Sequence, residues 1–276
     1  MLKEDGKRIL ILGASGFIGN ALYKELCNYF DTYGTYCAAH RSFGDNQQFF
    51  KYDMREDDIV PILQQIRPQI IISALRGEFA SQVQAHFHLT EYLAKNNGRL
   101  LFLSSANVFD AYSKYPSYEY DKTLSESIYG RTKIKIENML MRLPKERWGI
   151  LRVPMVFGNN SPRIKEIKKN LFEKEPIEVF PNLIINVTHH DKLTQQVHYI
   201  INRNKTGIYH LGSTDLVHHE DFIQEIVERM GNFHPVFKRV YTTNNDRFMA
   251  VLPKDHKLTK KLLSTYQDSI DHHIPV

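Results

Sequence analysis

The sequence predicts an α/β protein, a doubly wound parallel sheet followed by a smaller C-terminal lobe. Three observations carry that expectation. Short apolar runs rich in branched residues alternate with segments of helical period through residues 1–158. The runs are nearly continuous in hydrophobicity, which fits strands buried on both faces. The first run also passes directly into a glycine-spaced turn that opens a helical segment.

Taken in order, "RILILGA" (8–14), "YGTYCAA" (33–39), "QIIISAL" (69–75), "RLLFLSS" (99–105) and "WGILRVP" (148–154) have the length and branching of buried strands. Between them lie "GFIGNALYKELCNYF", "DDIVPILQQIR", "SQVQAHFHLTEYLAKNN" and "SIYGRTKIKIENMLMRL", each helical in pattern. Strands separated by helical stretches of roughly 10–15 residues imply right-handed crossovers and a parallel sheet. The boundary is expected near residue 158. Residues 159–276 form the second lobe, with part of 184–212 returning to the sheet.

Composition narrows the function. The chain has 276 residues, a formal net charge of +5 and scattered basic residues, so a nucleic-acid partner is not expected. Cys27 and Cys37 lack the spacing of a zinc site or a disulfide framework. No stretch approaches the roughly 18 apolar residues of a membrane span, and the charged start does not resemble a signal peptide. The reading is a cytoplasmic protein without a metal site.

The turn "GASGFIGNAL" places Gly13, Gly16 and Gly19 at three-residue spacing after the first strand. Such a turn lets backbone approach a pyrophosphate, whose charge then meets a helix N-terminus. Ser15, Phe17 and Ile18 share that cradle. An acidic residue about 20 positions on would favour NAD, but His40 and Arg41 stand where the second strand should end. Arginine there suits the 2′-phosphate of NADP, with NAD as the alternative. Asp53, followed by Met54, reads either as an acceptor for the adenine amino group or as a helix cap.

Two Y-x-x-x-K spacings occur, Tyr118/Lys122 and Tyr129/Lys133, and with 15 tyrosines roughly one is expected by chance. Context separates them. Tyr129 begins a helical stripe with Thr132, Ile136, Met139 and Leu140, whereas Tyr118 follows Pro116 in a segment without one. A free tyrosine titrates near 10, and a lysine cation about 6 Å away favours its phenolate. Ser105, at the end of the fifth strand, can donate to a reacting carbonyl while Tyr129 delivers a proton.

Together these residues resemble the extended short-chain dehydrogenase/reductase superfamily, a Rossmann-type fold. "GASGFIG" is similar to its glycine turn, "YGRTK" to its Y-G-x-[ST]-K, "SSANVFD" to the segment bearing the catalytic hydroxyl on Ser105, and "LRVPMVFG" to the segment after the sixth strand. The short length, "SSANVFD", "GTYCAAHR" and "DRFMAVLPKDHKL" look most like the dTDP-4-dehydrorhamnose reductases. That resemblance implies NAD(P)H-dependent reduction of a keto group on a nucleotide-activated deoxysugar. It implies Lys133 as tuner and ribose anchor, Ser73, Ala74 and Leu75 beside the cofactor, and Asn107, Met155 and Arg247 toward the nucleotide-sugar. A homodimer is compatible with it.

Departures are visible. "SALR" replaces the usual N-A-A-A, Leu124-Ser125 replaces a proline before the helix, and Phe248 replaces a proline after Arg247. "VTHHDKL" resembles a structural element before the last Rossmann helices, so His189 and His190 are expected to be structural, pointing to different sides. Two rivals remain: a sugar-nucleotide epimerase holding NAD tightly, and a regulatory subunit that keeps the fold without turnover. Ala106 and Asn107 stand where dehydratases carry an acidic pair, which argues against dehydration.

Overall fold

A computed structural model describes residues 6–38, 41–231 and 233–271, without the side chains of Arg41 and Ser42. The first half runs β1 (Arg8–Leu12), α1 (Phe17–Leu26), β2 (Asp31–Tyr36), α2 (Arg41–Gly44), β3 (Phe49–Lys51), α3 (Val60–Ile66), β4 (Ile70–Ser73), α4 (Phe79–Lys95), β5 (Arg99–Ser105), α5 (Ile128–Leu140) and β6 (Trp148–Val153). There follow β7 (Met155–Phe157), α6 (Pro162–Glu173), β8 (Ile177–Val179), β9 (Leu183–Ile185), β10 (Val187–His189), α7 (His190–Asn202) and β11 (Gly207–His210). The chain ends with β12 (Val217–His218), α8 (His219–Arg229), β13 (Phe237–Arg239), β14 (Arg247–Met249) and α9 (Tyr266–Asp271).

The main sheet has seven strands in the order β11-β6-β5-β4-β1-β2-β3. β1 pairs in parallel with β2 and β4, β2 with β3, and β4 with β5. The order reverses at β1, so β1 and β4 diverge in their connections and leave a crevice beyond their carboxyl ends. β2 begins at Asp31 and stops at Tyr36, earlier at both ends than its apolar pattern indicates.

The chain divides into two compact units, each made of several stretches. The first comprises 1–104, 127–151 and 197–208; the second comprises 105–126, 152–196 and 209–276. Residues 105–126 thus cluster with the second unit although they precede position 158, and 197–208 cluster with the first. The core of the first unit joins Leu10, Leu12, Ile71, Leu100 and Phe102 of the sheet to Leu89, Ile136 and Leu140 of the helices, all at most 1 % exposed. The near-continuous apolar strands are explained by this burial on both faces.

The second unit has its own core, centred on Phe157, Val179, Val187, Phe222 and Ile223. Its short strands pair as β10 with β7, β13 with β8, and β9 with both β12 and β14. Buried polar groups tie its loops. The Glu119 carboxylate, fully buried, accepts the backbone N–H groups of Lys254, Asp255 and His256 at 3.0, 3.3 and 3.3 Å. Arg152 donates to the Glu119 carbonyl at 2.9 Å and lies 4.9 Å over the Phe109 ring.

Contrary to expectation, His189 and His190 do not diverge: their ring centroids are 4.3 Å apart and Nδ1 of His190 is 3.2 Å from Nε2 of His189. The alternation rule applies within one strand or helix, but the chain passes from β10 to α7 between these two residues. Asp191 adds oxygens 3.5 Å from His189 and 3.4 Å from His190, a spacing compatible with one metal ion. The positive end of the α7 dipole opposes a cation there.

Candidate active site

The glycine turn is built around missing side chains. Gly13 has φ +77, a left-handed conformation, and a Cβ on it would meet the Ala74 carbonyl oxygen at 2.9 Å. A Cβ on Gly19 would come within 2.2 Å of the Gly13 carbonyl oxygen, so the first turn of α1 packs directly on the end of β1. Gly13 N–H donates to the Thr35 hydroxyl at 2.9 Å, and Gly16 N–H to the Gly13 carbonyl at 3.0 Å. Gly16 occupies the N-cap of α1, where it has no side chain to compete with a ligand.

This turn forms one wall of a cavity of about 320 Å³ in the first unit, within the range of ligand pockets. Gly13, Ser15 and Gly16 line it after β1, Thr35 and Cys37 at the end of β2, Asp53, Met54 and Arg55 after β3, and Ala74 to Glu78 after β4. Its place at the strand reversal, with backbone brought close by two glycines, fits the nucleotide portion of a dinucleotide.

Not every expected residue reaches it. Phe17, Ile18 and Gly19 lie in the first turn of α1 and are not part of the lining. Ser73 is 1 % exposed and its hydroxyl faces His86. His86 Nδ1–H donates to the Gln82 carbonyl at 2.6 Å, so Nε2 accepts from Ser73 Oγ at 2.9 Å. Complete burial pushes His86 down to about 3, which keeps it neutral. His40 and the Arg41 side chain lie outside the described residues.

Asp53 neither caps a helix nor stands alone. It accepts from Arg55 Nε at 3.0 Å, Nη2 at 2.6 Å and the Arg55 backbone N–H at 3.0 Å. Those hydrogen bonds hold its carboxyl well below the usual carboxylate range. Arg55, Arg76, Cys37 and Glu78 are lining residues that sequence reasoning missed. Nothing in their local pattern singles them out; only strand order brings four separated loops together.

Helix α5 begins at an N-cap, Ser127, whose hydroxyl accepts from Gly130 N–H at 3.0 Å. Tyr129 therefore sits in the first turn, 37 % exposed, with its ring 6.4 Å from Phe79, the neighbour of the cavity-lining Glu78. Lys133, one turn on, is 5 % exposed and donates to the Leu103 carbonyl at 3.2 Å. Its ammonium lies 4.7 Å from the Phe102 ring centroid and 5.7 Å from that of Tyr129. Burial lowers Lys133 to about 8, and the Glu137 charge partly offsets that. The rival pair, Tyr118/Lys122, lies in no helix, with Lys122 exposed.

The remaining expected residues fall in the second unit. The Ser105 hydroxyl donates to Asn107 Oδ1 at 2.9 Å and accepts from Asn107 N–H at 3.2 Å, capping a short 3₁₀ turn, Ala106–Phe109. Met155 opens β7 and Arg247 opens β14, both partly buried; Arg247 donates to Thr242 Oγ1 at 3.0 Å.

A family model described as the RmlD substrate binding domain matches residues 7–268. Methionine adenosyltransferase 2 subunit beta of Danio rerio is 29 % identical over 181 residues, covering 61 % of this chain and 54 % of that protein. A dTDP-4-dehydrorhamnose reductase of Aggregatibacter actinomycetemcomitans is 28 % identical over 165 residues, covering 55 % of this chain and 52 % of that protein. The chain thus spans about half the length of the curated relatives it matches.

Solved structures resemble it along nearly its whole length. The dTDP-4-dehydrorhamnose reductase of Yersinia enterocolitica has a TM-score of 0.76 at 17 % identity, covering 96 % of this chain and 97 % of that one. The Bacillus anthracis enzyme of the same name, solved with NADP, has a TM-score of 0.72 at 18 % identity, covering 96 % and 98 %. At these identities the likeness shows the shared fold. Among the described residues no helix is long and apolar enough to cross a membrane.

Proposed function

The chain belongs to the RmlD substrate-binding-domain family, and from that membership we propose that it reduces a keto group on a nucleotide-activated deoxysugar. The observation that carries the reading is Tyr129 on the first turn of a helix whose next turn buries Lys133. Gly13, Ser15 and Gly16 would hold the phosphates of a nicotinamide dinucleotide, with Asp53, Met54, Ala74 and Leu75 beside it. That cofactor, NADP by the sequence signal and NAD as the alternative, supplies the hydride.

The chain's own residues supply the rest. Tyr129 Oη gives its proton to the carbonyl oxygen as negative charge develops there. The Lys133 ammonium stabilises the charge left on the phenol oxygen, which a fixed cation in a poorly solvated site does more strongly than water. Ser105, by its place in the motif, is assigned as a hydrogen-bond donor to the substrate carbonyl. Asn107, Met155 and Arg247 are assigned to the nucleotide-sugar, with Arg247 serving its phosphates.

The test is a screen of NADPH and NADH oxidation against 4-keto-6-deoxy sugar nucleotides. Oxidation that depends on one of them supports the reductase. A second reading is favoured by the curated relatives, of which most shown are described as a methionine adenosyltransferase subunit. In that reading the cavity holds a dinucleotide and the chain serves a partner without turnover. Cofactor binding without oxidation of any candidate, together with a stable complex with a methionine adenosyltransferase, would select it.

A further inference from the structure

We infer that Glu137 is a positioning residue that holds Lys133 in place and charged next to Tyr129, an inference that rests on the function proposed above. Sequence reading passed over Glu137, yet it lies four residues after Lys133 on α5, the spacing at which helical side chains are neighbours. Both are nearly excluded from solvent, Glu137 at 1 % and Lys133 at 5 % exposure. Consecutive residues of β5 receive them. The Ser104 hydroxyl donates to Glu137 Oε1 at 2.5 Å, while the Leu103 carbonyl accepts from Lys133 at 3.2 Å.

A buried ammonium is costly unless a nearby charge compensates it. The groups facing Lys133 identify which one does. From β5 come the Phe102 ring and the Leu103 carbonyl, neither of them ionisable. From α4 comes His86, fully buried, held neutral and bonded to Ser73, so it adds no competing cation. From α5 itself come Tyr129 and Glu137. Glu137 is the carboxylate of this set, and its charge acts against the burial that draws Lys133 down to about 8. Without it burial draws Lys133 further down, and Tyr129 keeps less of the cation beside it.

The test uses Glu137→Gln, which keeps the side-chain size and an acceptor for Ser104 but removes the charge. The first readout is the melting temperature of the cofactor-free protein against pH. The deficit relative to wild type should be largest near about pH 6 and shrink toward about pH 9, as Lys133 becomes neutral and needs no counter-charge. The same substitution in a Lys133→Met background should show no such pH dependence. The second readout is NADPH affinity, whose loss at alkaline pH should move to lower pH in Glu137→Gln.

A deficit constant across pH, equal in both backgrounds, overturns the inference and leaves Glu137 a packing residue. Should Glu137→Gln fail to fold, the double variant decides. Lacking the buried ammonium, it should be the more stable of the two, and equal failure overturns the inference. A wild type that binds neither NADPH nor NADH contradicts the proposed function, while the stability comparison still judges the pair by itself.

Discussion

Tyr129 and Lys133 show how far single residues were legible. Chance could have produced their spacing, and it did produce a second copy at Tyr118/Lys122. The apolar stripe separated the two, because a stripe reports a helix that packs, and the structure gives Tyr129 a helix and leaves Tyr118 outside one. Glu137 was equally open to a spacing argument, but a carboxylate four residues after a lysine on an amphipathic helix ordinarily signals a solvated pair. Only its burial changes that. Lys133→Met should lower both turnover and NADPH affinity, since one ammonium is assigned to phenol and ribose together; steady-state kinetics with fluorescence titration would show it, and unchanged affinity would remove the ribose role. Arg41→Ala should weaken NADPH about tenfold or more, the scale of a charge-assisted contact, and spare NADH. Equal losses for the two cofactors would refute the assignment.

At the scale of elements, the five strands read from apolar runs all appear, as do the helices between them. The boundaries moved where burial and hydrophobicity part company: Cys37 and Ala38 continue the apolar pattern of β2 but lie at an exposed strand end. The three-residue β3 is too short to form an apolar run, and the place of Ser105 at the end of a fifth strand implies it. His189 and His190 misled because a rule for one element was applied across a junction of two. The spacing of the three glycines was legible, although Phe17, Ile18 and Gly19 fall outside the cavity lining, and the tightness of the turn can be tested. Gly19→Ala places a methyl group 2.2 Å from a backbone oxygen that cannot step aside. It should cost about 1–3 kcal/mol of stability, the usual scale of overpacking, and reduce dinucleotide binding. Urea denaturation would measure the first and titration the second; a stable variant that binds normally would show that α1 does not need the close approach.

For the whole molecule, three buried histidines set the response to acid. His86 and His210 are drawn down to about 3 and His219 to about 4, in each case mainly by burial. An unfolded chain takes up these protons near 6.5, so below that pH the unfolded state binds more protons than the folded one. Stability is therefore full above about pH 6.5 and declines as pH falls toward 4. The shifted carboxylates Asp53, Glu78 and Glu178 have their ordinary values near 4 or a little above, so their contribution is lost only lower in the range. Melting temperatures between about pH 7.5 and 4.5 should fall steadily; a flat profile would mean the histidines protonate without unfolding. None of this was visible in sequence, where all 13 histidines look alike. That residues 105–126 cluster with the second unit depends on which segments meet rather than on local pattern.

In the proposed reaction Tyr129 delivers a proton during reduction of a keto sugar nucleotide. Tyr129→Phe tests it most directly, because the ring and its contact with Phe79 stay while the hydroxyl goes. The measurement is NADPH oxidation with a 4-keto-6-deoxy sugar nucleotide, comparing folded wild type and variant at saturating cofactor. Wild type should turn over and the variant should fall by about 10²–10⁴, the scale of a lost general acid, with NADPH affinity nearly unchanged. A variant as fast as wild type, or a wild type that binds NADPH and reduces none of these sugars, would contradict it.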